Sequence, residues 1–250
     1  MKITQSNLLN NFSNVTHAFT TKHGGTSQSP YISLNLAFHV GDNKHNVINN
    51  HDILAHYLSY NKNKLVHMKQ IHSSIVHIVD VDNDFNNPVI ADALITDKID
   101  TPLMVMVADC SPILFYDNNK NVIAVAHAGR QGAFKNIIYN VIKSFQNNFD
   151  SNLEDIYVSI GASIGVCCYE VGLEIYNEAK KINLEFAIKK KDNKYYLNIS
   201  KILLSQLNDC NINRKNIDIS EDCNCCKNNK YFSYRAEGTT GRFSGVILLK

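Results

Sequence analysis

Two uninterrupted apolar runs near the middle of the chain constrain its fold more than any other feature. Residues 103–107 and 122–126 contain no polar side chain, which is typical of strands that are covered on both faces. Strand-like and helix-like segments are interspersed around these runs without a strict strand–helix–strand rhythm. The sequence therefore predicts a single domain of the α/β (α+β) class, built on mixed sheets.

Hydrophobic periodicity predicts the other elements of the chain. We expect further strands over residues 15–21, 65–68, 74–81, 93–96, 113–117, 156–160, 195–198 and 246–249. We expect helices over residues 46–60, 131–145, 173–181 and 199–207.

Composition and charge argue against several classes of function. The hydrophobic fraction is 44% and the formal net charge is +2, so the charge gives no case for binding nucleic acid or an anionic membrane. No stretch approaches the roughly 20 apolar residues of a transmembrane helix, and residues 1–12 do not resemble a secretory signal. We therefore expect a cytoplasmic protein without a nucleic-acid or membrane partner.

Three residues that can bind a metal follow or lie between predicted strands. Cys110 and His127 come after the two apolar runs, and His72 lies in a predicted loop. One thiolate and two imidazoles suit zinc, and three protein ligands leave a fourth tetrahedral position for water. A cysteine after an apolar run is more often a small buried side chain, and histidines in loops are often only hydrogen-bonded, so spacing alone does not establish a metal site.

Several motifs, in order along the chain, resemble one protein family. They are Phe19 to Ser27, Tyr31 to Leu36, His39 to Asp42, Gln70-Ile71-His72, Ala91 to Thr96, Ala108-Asp109-Cys110-Ser111-Pro112, Ala126-His127-Ala128-Gly129, Ile160 to Gly172, Tyr231 to Arg235 and Thr240-Gly241-Arg242. Together they resemble the laccase-domain family, which is also called the YfiH-like family. The similarity extends over nearly the whole chain and implies one catalytic domain over residues 1–250.

This resemblance implies a fold, a cofactor and a function. The implied fold is an α/β/β/α layering, and the implied zinc ligands are His72, Cys110 and His127. The implied activities are phosphorolysis of purine nucleosides, including methylthioadenosine, and deamination of adenosine, so purine nucleosides and phosphate are the expected partners. We expect a monomer or a homodimer.

One segment departs from the pattern of the resembled family. That family usually has His-Ala-Gly-Trp-Arg-Gly, whereas this chain has Arg130-Gln131 after Gly129 and contains no tryptophan. A phosphate-binding or base-stacking role of this segment is therefore in question, although the ligand His127 is retained.

Further residues are candidates for the site on the strength of the resemblance. Asp109 is a candidate proton shuttle or, like Asp92, a partner that orients a ligating imidazole. Anion-binding candidates are Arg235, Arg242 and the backbone N–H groups of Gly24-Gly25, and surface ion pairing is the alternative for both arginines. Asn35 and His39 are expected to bind substrate, with turn stabilisation as the alternative.

The other cysteines do not form a recognised metal motif. Cys223, Cys225 and Cys226 are close in sequence and Cys210 lies nearby, but no clear second ligand pair is visible. We expect these four to be unligated thiols, and we expect Cys167 and Cys168 to serve packing.

Three enzymatic hypotheses follow from these residues, and a zinc-stabilised partner-binding module, which a fourth protein ligand would indicate, is the non-enzymatic alternative. The first is a zinc-dependent purine nucleoside phosphorylase and adenosine deaminase. The second is a cysteine hydrolase acting on an amide such as a peptidoglycan precursor, with Cys110 as nucleophile and His127 as base. The third is a copper-dependent polyphenol oxidase, which is disfavoured because one cysteine and two histidines are too few ligands for several copper ions.

Overall fold

A computed structural model describes residues 1–80 and 82–250. The strands, in chain order, are β1 (Ile3–Thr4), β2 (Val15–Thr20), β3 (Val66–Lys69), β4 (Val76–Ile78), β5 (Val89–Ile90), β6 (Ala93–Thr96), β7 (Leu103–Val107), β8 (Ser111–Asp117), β9 (Val122–Ala128), β10 (Ile156–Ile160), β11 (Glu170–Val171), β12 (Ile188–Lys191), β13 (Lys194–Leu197), β14 (Ile217–Ile219) and β15 (Phe243–Leu249). The α-helices are α1 (Lys44–Leu58), α2 (Arg130–Phe134), α3 (Ile137–Phe149), α4 (Leu173–Lys181), α5 (Ile199–Asp209) and α6 (Tyr234–Glu237). The end of the strand expected over residues 74–81 falls on Val81, outside the described residues.

Two mixed six-stranded sheets form the centre of the molecule. The first sheet has the order β1-β2-β15-β7-β3-β5 and the second has the order β14-β10-β8-β9-β6-β4. A smaller three-stranded sheet, β11-β13-β12, lies beside them. This arrangement confirms the predicted mixed α/β fold.

The alternation of side chains along the strands accounts for the layering. In the second sheet, Leu94, Leu114 and Val125 point into one apolar core together with Val105 of the first sheet. Their neighbours Ile95, Ile113 and Ala124 point the other way and pack with residues of α3 and α5. On the outer face of the first sheet, α1 packs over Ala18, Met104 and Val246. The layers are therefore helix, sheet, sheet, helix, as expected.

Strand pairing brings the predicted metal ligands to one edge of the two sheets. β3 and β7 are parallel neighbours in the first sheet, so the two strands end at the same edge of this sheet. Each then crosses to the second sheet, where β4 and β8 follow. The crossing segments contain His72 and Cys110 respectively, and β9 places His127 opposite Pro112 of β8.

The structure differs from the sequence predictions in several elements. The helix expected over residues 131–145 is two helices, because Asn136 adopts a left-handed conformation with φ 56° and its side chain accepts a hydrogen bond from Tyr139 N–H. The short strands β1, β5, β11, β12 and β14 were not predicted, since two to four residues give too little periodicity. Within the described residues, no helix combines the length and the apolar character needed to cross a bilayer.

Candidate metal centre and active site

His72, Cys110 and His127 converge in the structure. One ligand atom from each of them lies within 4.8 Å of the others, and the two imidazole rings meet edge to face with centroids 4.8 Å apart. His72 is exposed, Cys110 is half-buried and His127 is buried. His72 adopts a left-handed conformation with φ 57°, which turns its side chain back towards the other two.

A buried carboxylate, Asp92, holds two of these residues in place. Its Oδ1 accepts hydrogen bonds from His127 Nδ1 at 2.9 Å and from the His72 backbone N–H at 3.0 Å. Its Oδ2 accepts from Ile71 N–H and from both the N–H and the hydroxyl of Ser73. Because Nδ1 of His127 donates to Asp92, Nε2 is left to face Cys110, as is usual for a ligating histidine.

The same contacts shift the titration of the three groups. Burial alone would raise the pKa of the Cys110 thiol, but the charge and hydrogen bond of His127, with a smaller effect of His72, lower this pKa to about 6. Burial alone would lower the pKa of His127, but the Cys110 thiolate and the Asp92 carboxylate raise it to about 9. Burial likewise opposes ionisation of Asp92, yet hydrogen bonds from His127 and Ser73 hold its pKa below the usual range. The site therefore favours an ionised thiolate, which is the form that binds a metal.

A glycine allows the ligands to approach the chain this closely. A Cβ atom at Gly129 would lie 2.7 Å from Cys110 Sγ and 3.3 Å from His72 Cδ2. Contacts this short exclude any side chain at position 129 unless Cys110 moves.

The three residues lie at the wall of a cavity of about 440 Å³, which is within the range of roughly 300–1,000 Å³ for small-molecule sites. Arg235 and Arg242 line the same cavity. The Arg235 guanidinium donates to Cys168 O and Glu170 O and lies over the Tyr169 ring. The Arg242 guanidinium donates to the carbonyls of Thr240 and Gly241. Neither guanidinium forms an ion pair with a carboxylate of the described chain, so the alternative of surface ion pairing does not hold for them.

Asp109 does not orient an imidazole, and this corrects one of its two expected roles. Its Oδ1 accepts hydrogen bonds from Asn224 Nδ2 at 2.9 Å and from Ser233 Oγ at 2.7 Å, and its Oδ2 accepts from the Arg235 N–H at 2.7 Å. Its φ is 91°, in a region that Asp and Asn tolerate better than most residues. The carboxylate lines the cavity and fixes the start of α6, whereas Asp92 supports the histidine.

Asn35 does not line the cavity, which corrects its expected role as a substrate-binding residue. Its side-chain amide donates to Ala37 O and to Asp42 Oδ2, and its Oδ1 accepts from the N–H groups of Ala37 and Arg242. Since it is fully buried, Asn35 positions the Arg242 backbone from behind.

The structure supports a place in the site for His39 but not for the Gly24-Gly25 turn. His39 lines the cavity, and partial burial together with the Arg242 guanidinium lowers its pKa. The N–H groups of Gly24 and Gly25 both donate to Ser33 Oγ. These two donors are already used, so this turn is not the expected anion site.

Several cavity residues were not identified as site residues from the sequence. Gln70 joins β3 to β7, because its amide donates to Met106 O and accepts from Met106 N–H. Tyr169 and Tyr234 add two aromatic rings to the cavity wall. All three lie in segments that resemble family motifs. Their place in those motifs was the feature of the sequence from which they could have been identified.

A model of the family described as "Multi-copper polyphenol oxidoreductase laccase" matches residues 16–250. The chain belongs to this laccase-domain family. Its curated relatives include a purine nucleoside phosphorylase of Corynebacterium glutamicum, 36% identical over 94% of this chain and 94% of the relative. They also include the purine nucleoside phosphorylase YlmD of Geobacillus stearothermophilus, 32% identical over 94% of this chain and 90% of the relative.

Two solved structures have the same fold as this chain. The hypothetical protein YfiH of Bacillus licheniformis matches with a TM-score of 0.91 and 31% identity, over 97% of this chain and 94% of the other. YlmD of Geobacillus stearothermophilus matches with a TM-score of 0.90 and 31% identity, over 96% of this chain and 93% of the other.

The segment that departs from the usual laccase-domain sequence lies at the edge of the cavity. Arg130 forms an ion pair with Glu178 of α4, and its guanidinium lies 5.6 Å from the centroid of the Phe134 ring. Its charge is therefore largely compensated, unlike the charges of Arg235 and Arg242.

Four of the remaining cysteines converge in the structure, which the sequence did not indicate. The Sγ atoms of Cys167, Cys168, Cys223 and Cys226 lie within 4.8 Å of one another. The adjacent Cys167 and Cys168 supply the second ligand pair that was not visible in the sequence, because they lie far along the chain from Cys223 and Cys226. Among the described residues, this set and the His72 set are the two groups of three or more potential metal ligands, which leaves few ligands for several copper ions.

Proposed function

We propose that this chain is a zinc-dependent purine nucleoside phosphorylase that also deaminates adenosine. The observation that supports this most is a single cavity that joins the His72, Cys110 and His127 ligand set to the uncompensated guanidinium groups of Arg235 and Arg242. The relatives that are named purine nucleoside phosphorylases cover almost the whole chain.

The ligand set suits zinc. It combines one soft thiolate with two imidazoles, and Asp92 supports one imidazole through Nδ1. A single copper ion is the alternative occupant of these residues. When bound, the metal supplies a Lewis acid at the cavity wall.

Other residues that line the cavity are suited to phosphate and to a purine. Arg235 and Arg242 offer positively charged donors to a phosphate dianion, with His39 beside Arg242. The rings of Tyr169 and Tyr234 offer flat apolar surfaces against which a purine can stack.

In phosphorolysis, the bond between ribose C1′ and purine N9 breaks while a phosphate oxygen forms a bond to C1′. The electron pair of the broken bond passes to the purine, which takes up a proton. Arg235 and Arg242 would orient the phosphate for this attack, and Asp109 would hold Arg235 through its backbone N–H. Methylthioadenosine differs from adenosine only in the 5′ substituent, so the same arrangement would accept it. In deamination, water adds at purine C6 and ammonia leaves.

A second candidate is a cysteine hydrolase acting on an amide. Cys110, His127 and Asp92 are in sequential contact, and the pKa of Cys110 is lowered to about 6. This is the order of nucleophile, base and orienting carboxylate that such enzymes use. His72, which adds a third ligand atom beside the thiol, favours the metal-dependent proposal.

The test is to measure bound metal together with turnover of adenosine and inosine, with and without phosphate. Wild type is compared with Cys110→Ser, and Cys210→Ser serves as the matched control because Cys210 directly follows α5 and lies outside both ligand sets. In wild type and in Cys210→Ser we expect release of free base that requires phosphate, and release of ammonia from adenosine that does not. Both should be lost in Cys110→Ser.

Chelation separates the two candidates. A phosphorylase of the proposed kind loses activity when its metal is removed and regains it when zinc is restored. Activity towards an amide that survives chelation but not thiol alkylation would instead identify the cysteine hydrolase. Release of free base from nucleosides without phosphate would contradict the phosphorylase proposal.

A further inference from the structure

A second set of sulfur ligands lies outside the catalytic cavity. Cys226 Sγ is 3.3 Å from Cys168 Sγ and 3.5 Å from Cys167 Sγ, and Cys223 completes a group in which every Sγ lies within 4.8 Å of the others. Zinc–sulfur bonds of about 2.3 Å place the corners of a tetrahedron about 3.8 Å apart. The four thiols therefore have nearly the separations that a four-sulfur zinc site requires.

Two loops approach closely to bring these cysteines together. Asn224 N–H donates to Ser163 O, and residues 163 and 223 form a parallel bridge. Gly165 N–H donates to Cys223 Sγ at 3.2 Å. A Cβ atom at Gly165 would lie 3.1 Å from Cys167 Sγ, so this glycine allows the approach just as Gly129 does at the catalytic site.

We propose that Cys167, Cys168, Cys223 and Cys226 bind a structural zinc ion. Four sulfur ligands close the coordination sphere without water, which is the pattern of structural and not catalytic zinc. Cys223 and Cys226 are separated by two residues, the spacing common in such sites, and the adjacent Cys167 and Cys168 supply the other pair. The backbone N–H of Gly165 stabilises a ligating thiolate, as outer-sphere donors do at metal sites. Cys167 and Cys226 are exposed, so a metal ion can reach the site from solvent.

Both cysteine loops contribute to the lining of the cavity or contact residues that line it. The loop of Cys167 and Cys168 contains Ile164 and leads into Tyr169, both of which line the cavity. The loop of Cys223 and Cys226 contains Asn224, which donates to Asp109. Arg235 donates directly to the carbonyl oxygen of Cys168. Loss of the structural zinc is therefore expected to weaken the positioning of Arg235 and to raise the KM for phosphate.

The first test counts zinc by elemental mass spectrometry in protein purified under reducing conditions. We expect about two zinc ions per chain in wild type and in Cys210→Ser, and about one in Cys110→Ser. We also expect about one in the double variant Cys223→Ser/Cys226→Ser. An unchanged zinc count in that double variant would overturn the proposal. If instead only the catalytic zinc were absent, wild type and Cys110→Ser would both hold one ion and the double variant none.

The second test does not depend on folding of the double variant. X-ray absorption at the zinc edge of Cys110→Ser should show only sulfur neighbours at about 2.3 Å. A mixed nitrogen and sulfur shell would contradict the proposal. The proposal would also be contradicted if the chain, under non-reducing conditions, had a mass two hydrogens below that of the reduced chain. That loss would show a disulfide in place of the metal.

Discussion

Asp92 is a single residue that holds together the candidate metal site of His72, Cys110 and His127. Five hydrogen bonds converge on its buried carboxylate, from Ile71, from His72, twice from Ser73 and from His127. Asp92 therefore fixes both the loop that contains His72 and the orientation of the His127 ring.

We expect Asp92→Asn to raise the zinc Kd by about 10–100-fold, because the amide has one acceptor oxygen and cannot satisfy all five donors. The measurement is competition with a chromophoric chelator. Asp117→Asn is the matched control, since Asp117 is a fully buried carboxylate at the other end of β8 that accepts from the N–H groups of Asn119 and Lys120. The control should lower stability and leave zinc affinity unchanged, and equal zinc loss in both variants would contradict the role of Asp92.

Gly129 sets a steric limit at the same site. We expect Gly129→Ala to reduce zinc occupancy and turnover together, because its new methyl group would lie 2.7 Å from Cys110 Sγ. Gly245→Ala in β15 is the control, since the atoms nearest its Cβ, at 3.2 Å, belong to the Leu114 and Phe19 side chains. Elemental analysis and the thermal midpoint should show zinc loss only in the first variant. Full zinc occupancy in Gly129→Ala would show that Cys110 can move without cost.

At the scale of elements, the link between β7 and β8 joins the two sheets and also holds α6. Cys110 of this link belongs to the candidate metal site, while Asp109 accepts hydrogen bonds from Asn224, Ser233 and the Arg235 backbone. The two neighbouring residues therefore serve different parts of the site.

We expect Asp109→Ala to raise the KM for phosphate about tenfold, roughly 1.4 kcal/mol, because three donors lose their acceptor and Arg235 is released. Zinc content should not change. Asp109→Asn keeps one acceptor oxygen and tolerates the same backbone conformation, so we expect an intermediate effect. Steady-state kinetics at varied phosphate separates KM from kcat. A fall in kcat alone, with unchanged KM, would instead support Asp109 as a proton shuttle.

At the scale of the whole molecule, buried histidines make stability depend on pH. Burial lowers the pKa of His51 to about 3 and that of His17 to about 4. His51 lies against His67, whose charge would further oppose its protonation, with Lys62 and Asp52 nearby. Both imidazoles remain neutral in the fold at a pH where they bind protons in the unfolded chain.

The sign of this effect follows from proton uptake. Below pH 6.5 the unfolded chain binds protons that the folded chain does not, so the free energy of unfolding falls as pH falls towards 4. Each such histidine contributes about 1.4 kcal/mol per pH unit. Urea unfolding at pH 7 and pH 5 should therefore show lower stability at pH 5.

His51→Gln isolates the contribution of one imidazole. We expect the loss between pH 7 and pH 5 to be smaller than in wild type by about 2 kcal/mol, because about 1.4 kcal/mol per pH unit accumulates only over the roughly 1.5 pH units below 6.5. Phe38→Leu is the control, because Phe38 stacks on His51 with ring centroids 5.6 Å apart and has no titratable group. An equal pH dependence in wild type and His51→Gln would contradict the assignment.

The local pattern of the sequence was sufficient for the central elements, and the family motifs added the three candidate metal ligands. β6, β7, β10 and α4 have the predicted bounds, because apolar runs and helical spacing reflect interactions between residues close in sequence. His72, Cys110 and His127 were identified from their chemistry and from motifs shared with the laccase-domain family.

Only the tertiary structure decided how distant segments combine. It assigned the support of His127 to Asp92 and not to Asp109, because the pairing of β6 with β9 places Ala93 opposite Ala126. It also brought Cys168 and Cys226 together across 58 residues. Such contacts arise from sheet register and from the crossing of loops between sheets, and neither leaves a periodic signal in the sequence.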